Sequence, residues 1–181
     1  MTKHVAFLRG VNVGGKNRLL MDELCRALAE GGLADATTVL QSGNVLFASD
    51  ETEAELVARI GAVIDKSCGL EIEVIIRSGT ELALVVARNP LVSSAAIGPD
   101  PATLHVAFLA EHPTDAAIAT LDPDRSPADA FVVTGREVYL SYPGGSGRSR
   151  LTLGYLERQL GTVGTARNWR TVQRLTSHPE T

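Results

Sequence analysis

Cysteine is scarce in this chain. Cys25 and Cys68 stand far apart, with neither C-x-x-C spacing nor a histidine cluster nearby, which leaves a disulfide framework and a structural zinc site without a ligand set. Reduced, partly buried thiols are the expectation. The four histidines, His4, His105, His112 and His178, show no metal-ligand spacing, so no metal is expected. No nucleophile is flanked by an identifiable base, although an acid/base pair of Asp or Glu residues could still assemble in space. Aromatic residues make up 4% of the chain and no RNP-type aromatic pair stands on a strand, which argues against base-stacking RNA recognition. No apolar run approaches the roughly 20 residues that span a bilayer, and Met-Thr-Lys-His leads directly into a strand-like segment. The expectation is a cytoplasmic protein with no membrane partner. Cofactor identity and oligomeric state are not readable.

What is present begins with a 44% hydrophobic composition over 181 residues, enough for a substantial core in one domain or two small packed ones. The net charge of −4 is uneven: Arg148, Arg150, Arg158, Arg167, Arg170 and Arg174 oppose only Glu157 between Gly147 and Leu175. A basic C-terminal segment on an acidic body either presents an anion-binding face or pairs its charges internally.

An internal echo organises the chain. His4-Val5-Ala6-Phe7-Leu8 recurs as His105-Val106-Ala107-Phe108-Leu109, and each copy is short, apolar and strand-like. Thr38 to Phe47, around Ser42-Gly43-Asn44, and Ala130 to Leu140, around Thr134-Gly135-Arg136, both read as strand pairs about a tight turn. Met21, Leu24, Cys25 and Leu28 form one helical stripe ended by Gly31-Gly32; Leu56, Ile60, Val63 and Ile64 form another behind acidic Glu51, Glu53 and Glu55. With a strand over Glu71 to Arg77 the first half reads β-α-β-β-α-β.

A helix from about Thr80 to Ala87 and the stretch to Pro101 form a link. The second half then repeats the order with a short helix after Pro113, a helix near Thr152 to Leu160 and a weak last strand over Thr162 to Arg167. A C-terminal helix starts near Asn168. The expected fold is α+β: two tandem ferredoxin-like (split βαβ) subdomains with mainly antiparallel sheets, the second copy degenerate, dividing at residues 1–98 and 99–181.

Chemistry concentrates after the first strand, in Arg9-Gly10-Val11-Asn12-Val13-Gly14-Gly15-Lys16-Asn17-Arg18. Gly10 opens a G-x-x-x-x-G-K run, but Asn17 lacks the hydroxyl a Walker A motif places on Mg²⁺, and an antiparallel sheet is the wrong platform for a P-loop. The physical part of the resemblance survives: glycines let backbone N–H groups approach an anion, and Arg9, Lys16 and Arg18 add charge. The alternative is that the glycines only allow a tight strand-to-helix connection. A sheet ordered 4-1-3-2 would bring Gln41-Ser42-Gly43-Asn44 to the same end, either as ligand contacts or as a plain hairpin turn. The candidate ligand residues are Arg9, Gly10, Asn12, Gly14, Gly15, Lys16, Asn17, Gln41, Ser42 and Asn44. Arg167, Arg170 and Arg174, at i, i+3 and i+7, make a candidate basic face beside Trp169, itself either a docking anchor or a base-stacking group.

Taken together, the segments His4 to Asn17, Gln41 to Phe47 and Thr165 to Val172 resemble a widespread bacterial family, the domain of unknown function 1697. The resemblance covers nearly the whole chain. It implies an α+β fold of two ferredoxin-like subdomains and brings no activity, cofactor or catalytic residue with it. The leading expectation is a binding module for a phosphate-bearing or otherwise anionic ligand at the Arg9 to Arg18 loop. A nucleic-acid-binding module and an enzyme acting on a phosphorylated or nucleotide-like metabolite are the alternatives.

Overall fold

The computed structural model describes residues 1–15, 17–93 and 100–178. Lys16, and the expected division between residues 98 and 99, lie outside the described residues. The chain forms two compact units, Met1–Ala83 together with the chain end from Leu175, and Leu84–Arg174. It is a mixed α+β protein with one four-stranded antiparallel sheet in each unit.

The first unit runs β1 (Thr2–Leu8), α1 (Met21–Glu30), β2 (Thr37–Thr38), β3 (Asn44–Ser49), α2 (Glu53–Cys68), β4 (Val74–Ser78) and the start of α3 (Gly79–Ala87), with strand order β2-β3-β1-β4. Strand β1 pairs on both sides, Val5 lying between Leu46 and Arg77. One face of the sheet, carrying Ala6, Leu8, Val45, Phe47 and Ile76, packs on Leu24 and Leu28 of α1 and Leu56, Ile60 and Ile64 of α2. Val5, Phe7, Leu46 and Ile75 on the alternate positions are buried as well. Burial on both faces is why β1 is written as an unbroken apolar run. Helix α2 starts with a reciprocal cap in which Glu55 N donates to Thr52 Oγ1 (3.3 Å) and Thr52 N donates to Glu55 Oε2 (2.8 Å). The bonds from Thr52 hold the Glu55 carboxyl below the usual carboxylate range.

The second unit contains α4 (Pro90–Ser93), β5 (Leu104–Leu109), α5 (Asp115–Ile118), β6 (Ala130–Thr134), β7 (Glu137–Ser141), a 3-10 turn (Ser146–Arg148), α6 (Leu153–Leu160), β8 (Gly164–Asn168) and α7 (Trp169–Thr176). Its sheet is ordered β6-β7-β5-β8. Val106 lies between Tyr139 and Arg167, matching Val5 between Leu46 and Arg77.

Three features differ from the sequence reading. Strand β8 pairs with β5 in full from Gly164 to Asn168, because β5 presents a full ladder that overrides weak strand propensity; the short helix expected after Pro113 is α5, four residues against ten in α1. The first strand pair is not a tight hairpin: β2 has two residues and a five-residue connection, Val39–Gly43, follows, in which Leu40 has φ 64°. Finally, α3 is no mere link. It follows β4 as α7 follows β8, capped by Ser78 and Glu81 (Glu81 N to Ser78 Oγ 3.2 Å, Ser78 N to Glu81 Oε2 2.8 Å), while Asn168 Oδ1 accepts from Arg170 N at 2.9 Å.

His105, half-buried on β5, stands edge-on to Tyr142 with ring centroids 5.3 Å apart, and its Nδ1 has no hydrogen-bond partner among the described residues. Burial pushes its pKa below the ordinary imidazole value. In the folded protein the neutral ring is therefore favoured, so the unfolded chain takes up more protons on acidification. Stability should fall as the pH drops through the unfolded value of about 6.5. Thermal unfolding of the parent and of His105→Phe between about pH 7.5 and 5.5 checks this, the variant having the shallower dependence.

Candidate functional site

The ladder of β1 does not stop at Leu8. Leu8 N donates to Gly43 O (2.8 Å) and Arg9 N to Glu73 O (3.0 Å), so the chain leaves the sheet with both flanks held. Residues 9–20 then return to α1 as a closed loop. Val11 and Leu19 are buried in the helix-side core and pin its two sides. Between them Asn12 spends its whole amide: Leu19 N donates to Oδ1 (2.9 Å), and Nδ2 donates to Leu19 O (2.9 Å) and to Gln41 O (2.9 Å). Asn12 N also donates to Asn17 O (3.1 Å), and Asn17 Nδ2 to Gly10 O (3.3 Å). Asn12 (φ 56°) and Asn17 (φ 47°) occupy the left-handed region, which asparagine tolerates better than most residues.

The 39–43 connection is braced from inside. Asn44 is buried, and its Nδ2 donates to Val39 O and Ser42 Oγ, both at 2.9 Å, while Val39 N donates to Asn44 O at 2.9 Å. Gly43 has φ 71°, and a β-carbon there would lie 3.0 Å from Leu8 Cβ and 3.2 Å from Val11 Cβ. Only glycine lets this connection lie against the end of β1.

Between the loop and the connection lies an open cleft of about 300 Å³ lined by Asn12, Gly15, Arg18, Leu19, Leu20 and Gln41. Of the residues singled out from sequence, Asn12, Gly15 and Gln41 meet on its wall. Gly10 and Asn17 brace the loop through their mutual bond, Gly14 is exposed on it, and Arg9 is half-buried at its start. Ser42 and Asn44 are tied to each other, and Asn44 acts from within the fold rather than from the surface. Arg18, Leu19 and Leu20 line the cleft although the motif did not single them out as ligand residues. Arg18 reads only as added charge on the loop, and Leu19 and Leu20 carry no motif signal; the Asn12–Leu19 bonds hold this stretch against the cleft.

The N-terminus of α1 is not an empty anion site. Leu20 occupies the cap position with no side-chain cap, and Asp22 and Glu23 fill the first turn, already complementing the helix dipole. Positive charge at the cleft comes from the loop itself.

The second unit shows the same scaffold without the loop. Leu109 N donates to Arg136 O (2.8 Å) and Ala110 N to Val163 O (2.9 Å), as Leu8 and Arg9 do, but residues 110–114 lead straight into α5. The candidate basic face is not a helical stripe. Arg167 lies on β8, 8% exposed, with Nη1 donating to Thr165 Oγ1 (2.7 Å) and Ala166 O (3.0 Å), and burial pushes its pKa down to about 10. Pairing of β8 with β5 takes this residue out of the helix. Arg170 is exposed and 3.5 Å from Asp100, Arg174 is exposed in the last turn of α7, and Trp169 is buried. Among the described residues no group of three or more His, Cys, Asp or Glu side chains could hold a metal ion, and no helix is long and apolar enough to cross a membrane.

The family described as "Protein of unknown function (DUF1697)" matches residues 1–139. No functionally curated protein matches the sequence. Among solved structures, the conserved bacterial protein SP0830 from Streptococcus pneumoniae is similar in fold, with a TM-score of 0.75 at 20% identity over 97% of each chain.

The bonds of Asn12 make a quantitative expectation. Asn12→Gly keeps the left-handed backbone but removes three partly exposed hydrogen bonds, and should lower stability by about 1–2 kcal/mol. Asn12→Ala should lose roughly 1 kcal/mol more, because alanine resists that φ. Urea denaturation of the two variants beside the parent gives both differences.

Proposed function

We propose that this chain, which belongs to the DUF1697 family of proteins of unknown function, is a binding protein for a small phosphate-bearing or otherwise anionic ligand at the loop of residues 9–18. The observation that carries the reading is the Asn12 bridge from Leu19 to Gln41, which joins two chain segments into one cleft with Arg18 on its wall. Glycines at 14 and 15, with nothing among the described residues within 4 Å of where a β-carbon would stand, leave the backbone open to an approaching anion. Arg18 supplies charge at the wall, and Arg9 and Lys16 flank it along the chain. An exposed cleft of this kind binds with modest affinity, through charge-assisted hydrogen bonds weakened by salt.

We read each unit as a ferredoxin-like split βαβ module, since both sheets have the strand order in which the first strand of the unit sits between its third and fourth. The two free cysteines fit the reducing cytoplasm that we propose as its location. Nucleic acid is the weaker partner, because the buried Arg167 leaves only Arg170 and Arg174 of the basic stripe outside.

A thermal-shift panel of nucleotides, sugar phosphates and inorganic phosphate tests the anion reading. A ligand at about 100 times its Kd should stabilise the protein by about 2.7 kcal/mol. The shift should shrink in Arg18→Ala and Lys16→Ala and on adding salt. If those variants keep the parent's shifts in full, the loop is not the site.

A further inference from the structure

Single exposed leucines and valines are ordinary on a protein surface. Here three of them sit on the two segments that build the cleft. Val13 on the loop is 65% exposed, Leu20 on the cleft wall 64%, and Leu40, next to the wall residue Gln41, 41%. Leu40 stands out for its backbone. Among the described residues the non-glycine positions with positive φ are Asn12, Asn17 and Leu40, and leucine, unlike asparagine, is penalised there by its β-carbon. Leu40 is not among the residues packed in the helix-side core. Strain of this sort clusters at active sites and ligand clamps.

Gln41 adds a polar reader. Its main-chain oxygen is taken by Asn12, while its exposed side-chain amide, with no bond to the protein among the described residues, offers two donors and an acceptor. An alkyl tail has no use for that edge, and a sugar phosphate or inorganic phosphate leaves the leucines in water. A ring with hydrogen-bonding edges uses both. The volume, about 300 Å³, is at the small end of small-molecule sites and suits a mononucleotide-sized compound rather than a polymer.

We infer that the ligand of this cleft carries a flat apolar ring joined to its phosphate, as in a mononucleotide or another aryl phosphate, with Leu20 and Leu40 gripping the ring, Gln41 meeting its edge and Arg18 the phosphate. The inference rests on the anion reading above and goes beyond it in naming the second half of the ligand.

Calorimetric titration with AMP, phenyl phosphate, ribose 5-phosphate, adenosine and inorganic phosphate tests it on the parent, Leu40→Gly, Leu20→Ser and Arg18→Ala. Ring phosphates should bind at least about tenfold tighter than ribose 5-phosphate or phosphate, a difference of roughly 1.4 kcal/mol. Leu40→Gly and Leu20→Ser should each erase most of that advantage while leaving the affinity for inorganic phosphate alone. The melting temperature of Leu40→Gly should stay level or rise, since glycine accepts the left-handed backbone, which separates lost contact from misfolding. AMP binding without phenyl phosphate assigns a nucleotide, and equal binding assigns aryl phosphates in general; either supports the inference. Ribose 5-phosphate or phosphate binding as tightly as AMP, or a Leu40→Gly protein with parental AMP affinity, overturns it and leaves the anion reading standing. Adenosine matching AMP, with Arg18→Ala silent, overturns both. So does failure of all five compounds to bind, whereas failure of AMP and phenyl phosphate alone overturns only the ring.

Discussion

One side chain determines the shape of the candidate site. Asn12 has two amide hydrogens and one carbonyl oxygen, and all three are engaged with the backbone of Leu19 and Gln41. Aspartate would lack the donors and serine the reach. The bonds close the loop and fasten it to the neighbouring connection, so the end of β1, the approach to α1 and residues 39–43 behave as one piece. Gly43 sets the distance from the other side, because any side chain there would push the connection off Leu8 and Val11. A site made this way is carried by main-chain geometry, and its charged groups can change without its walls moving.

The two units share more than their strands. Arg77 and Arg167 hold the same place beside Val5 and Val106, both are buried, and each sends Nη1 to the carbonyl of the residue before it, Ile76 at 2.7 Å and Ala166 at 3.0 Å. A guanidinium inside a protein must have its donors met, and repeating the same bond in both copies is a consistent answer to that demand. The helix that follows each of these strands completes a seven-element repeat, α3 in one unit and α7 in the other.

Much of this architecture was legible where local chemistry and tertiary demand agree. The five-residue echo marked both central strands, the stripes of α1 and α2 matched the faces they bury, and the acidic run Glu51, Glu53 and Glu55 announced the start of α2. Errors arose where a distant partner decides. Val39 and Leu40 look like strand residues, yet Asn44 folds them into a loop. Arg167 has helical spacing to Arg170, yet the hydrogen-bond ladder of β5 claims it. The loop itself was visible from its glycines and charges, but the apolar part of the cleft was not. Leu20 lines it, and Leu40 stands beside the wall residue Gln41, only because bonds from Asn12 and Asn44 place their backbones, and no local pattern records those bonds.

The contrast between the two units also measures what the loop costs. Residues 9–20 and residues 110–114 bridge equivalent strand and helix ends, twelve residues in one case and five in the other. Loop-closure entropy scales with the logarithm of length, so the longer bridge costs only about 0.8 kcal/mol more to close. That is less than the Asn12 bonds return. The closure term therefore sets little penalty against a long bridge in place of a short one, and the strand order beneath is the same in both units.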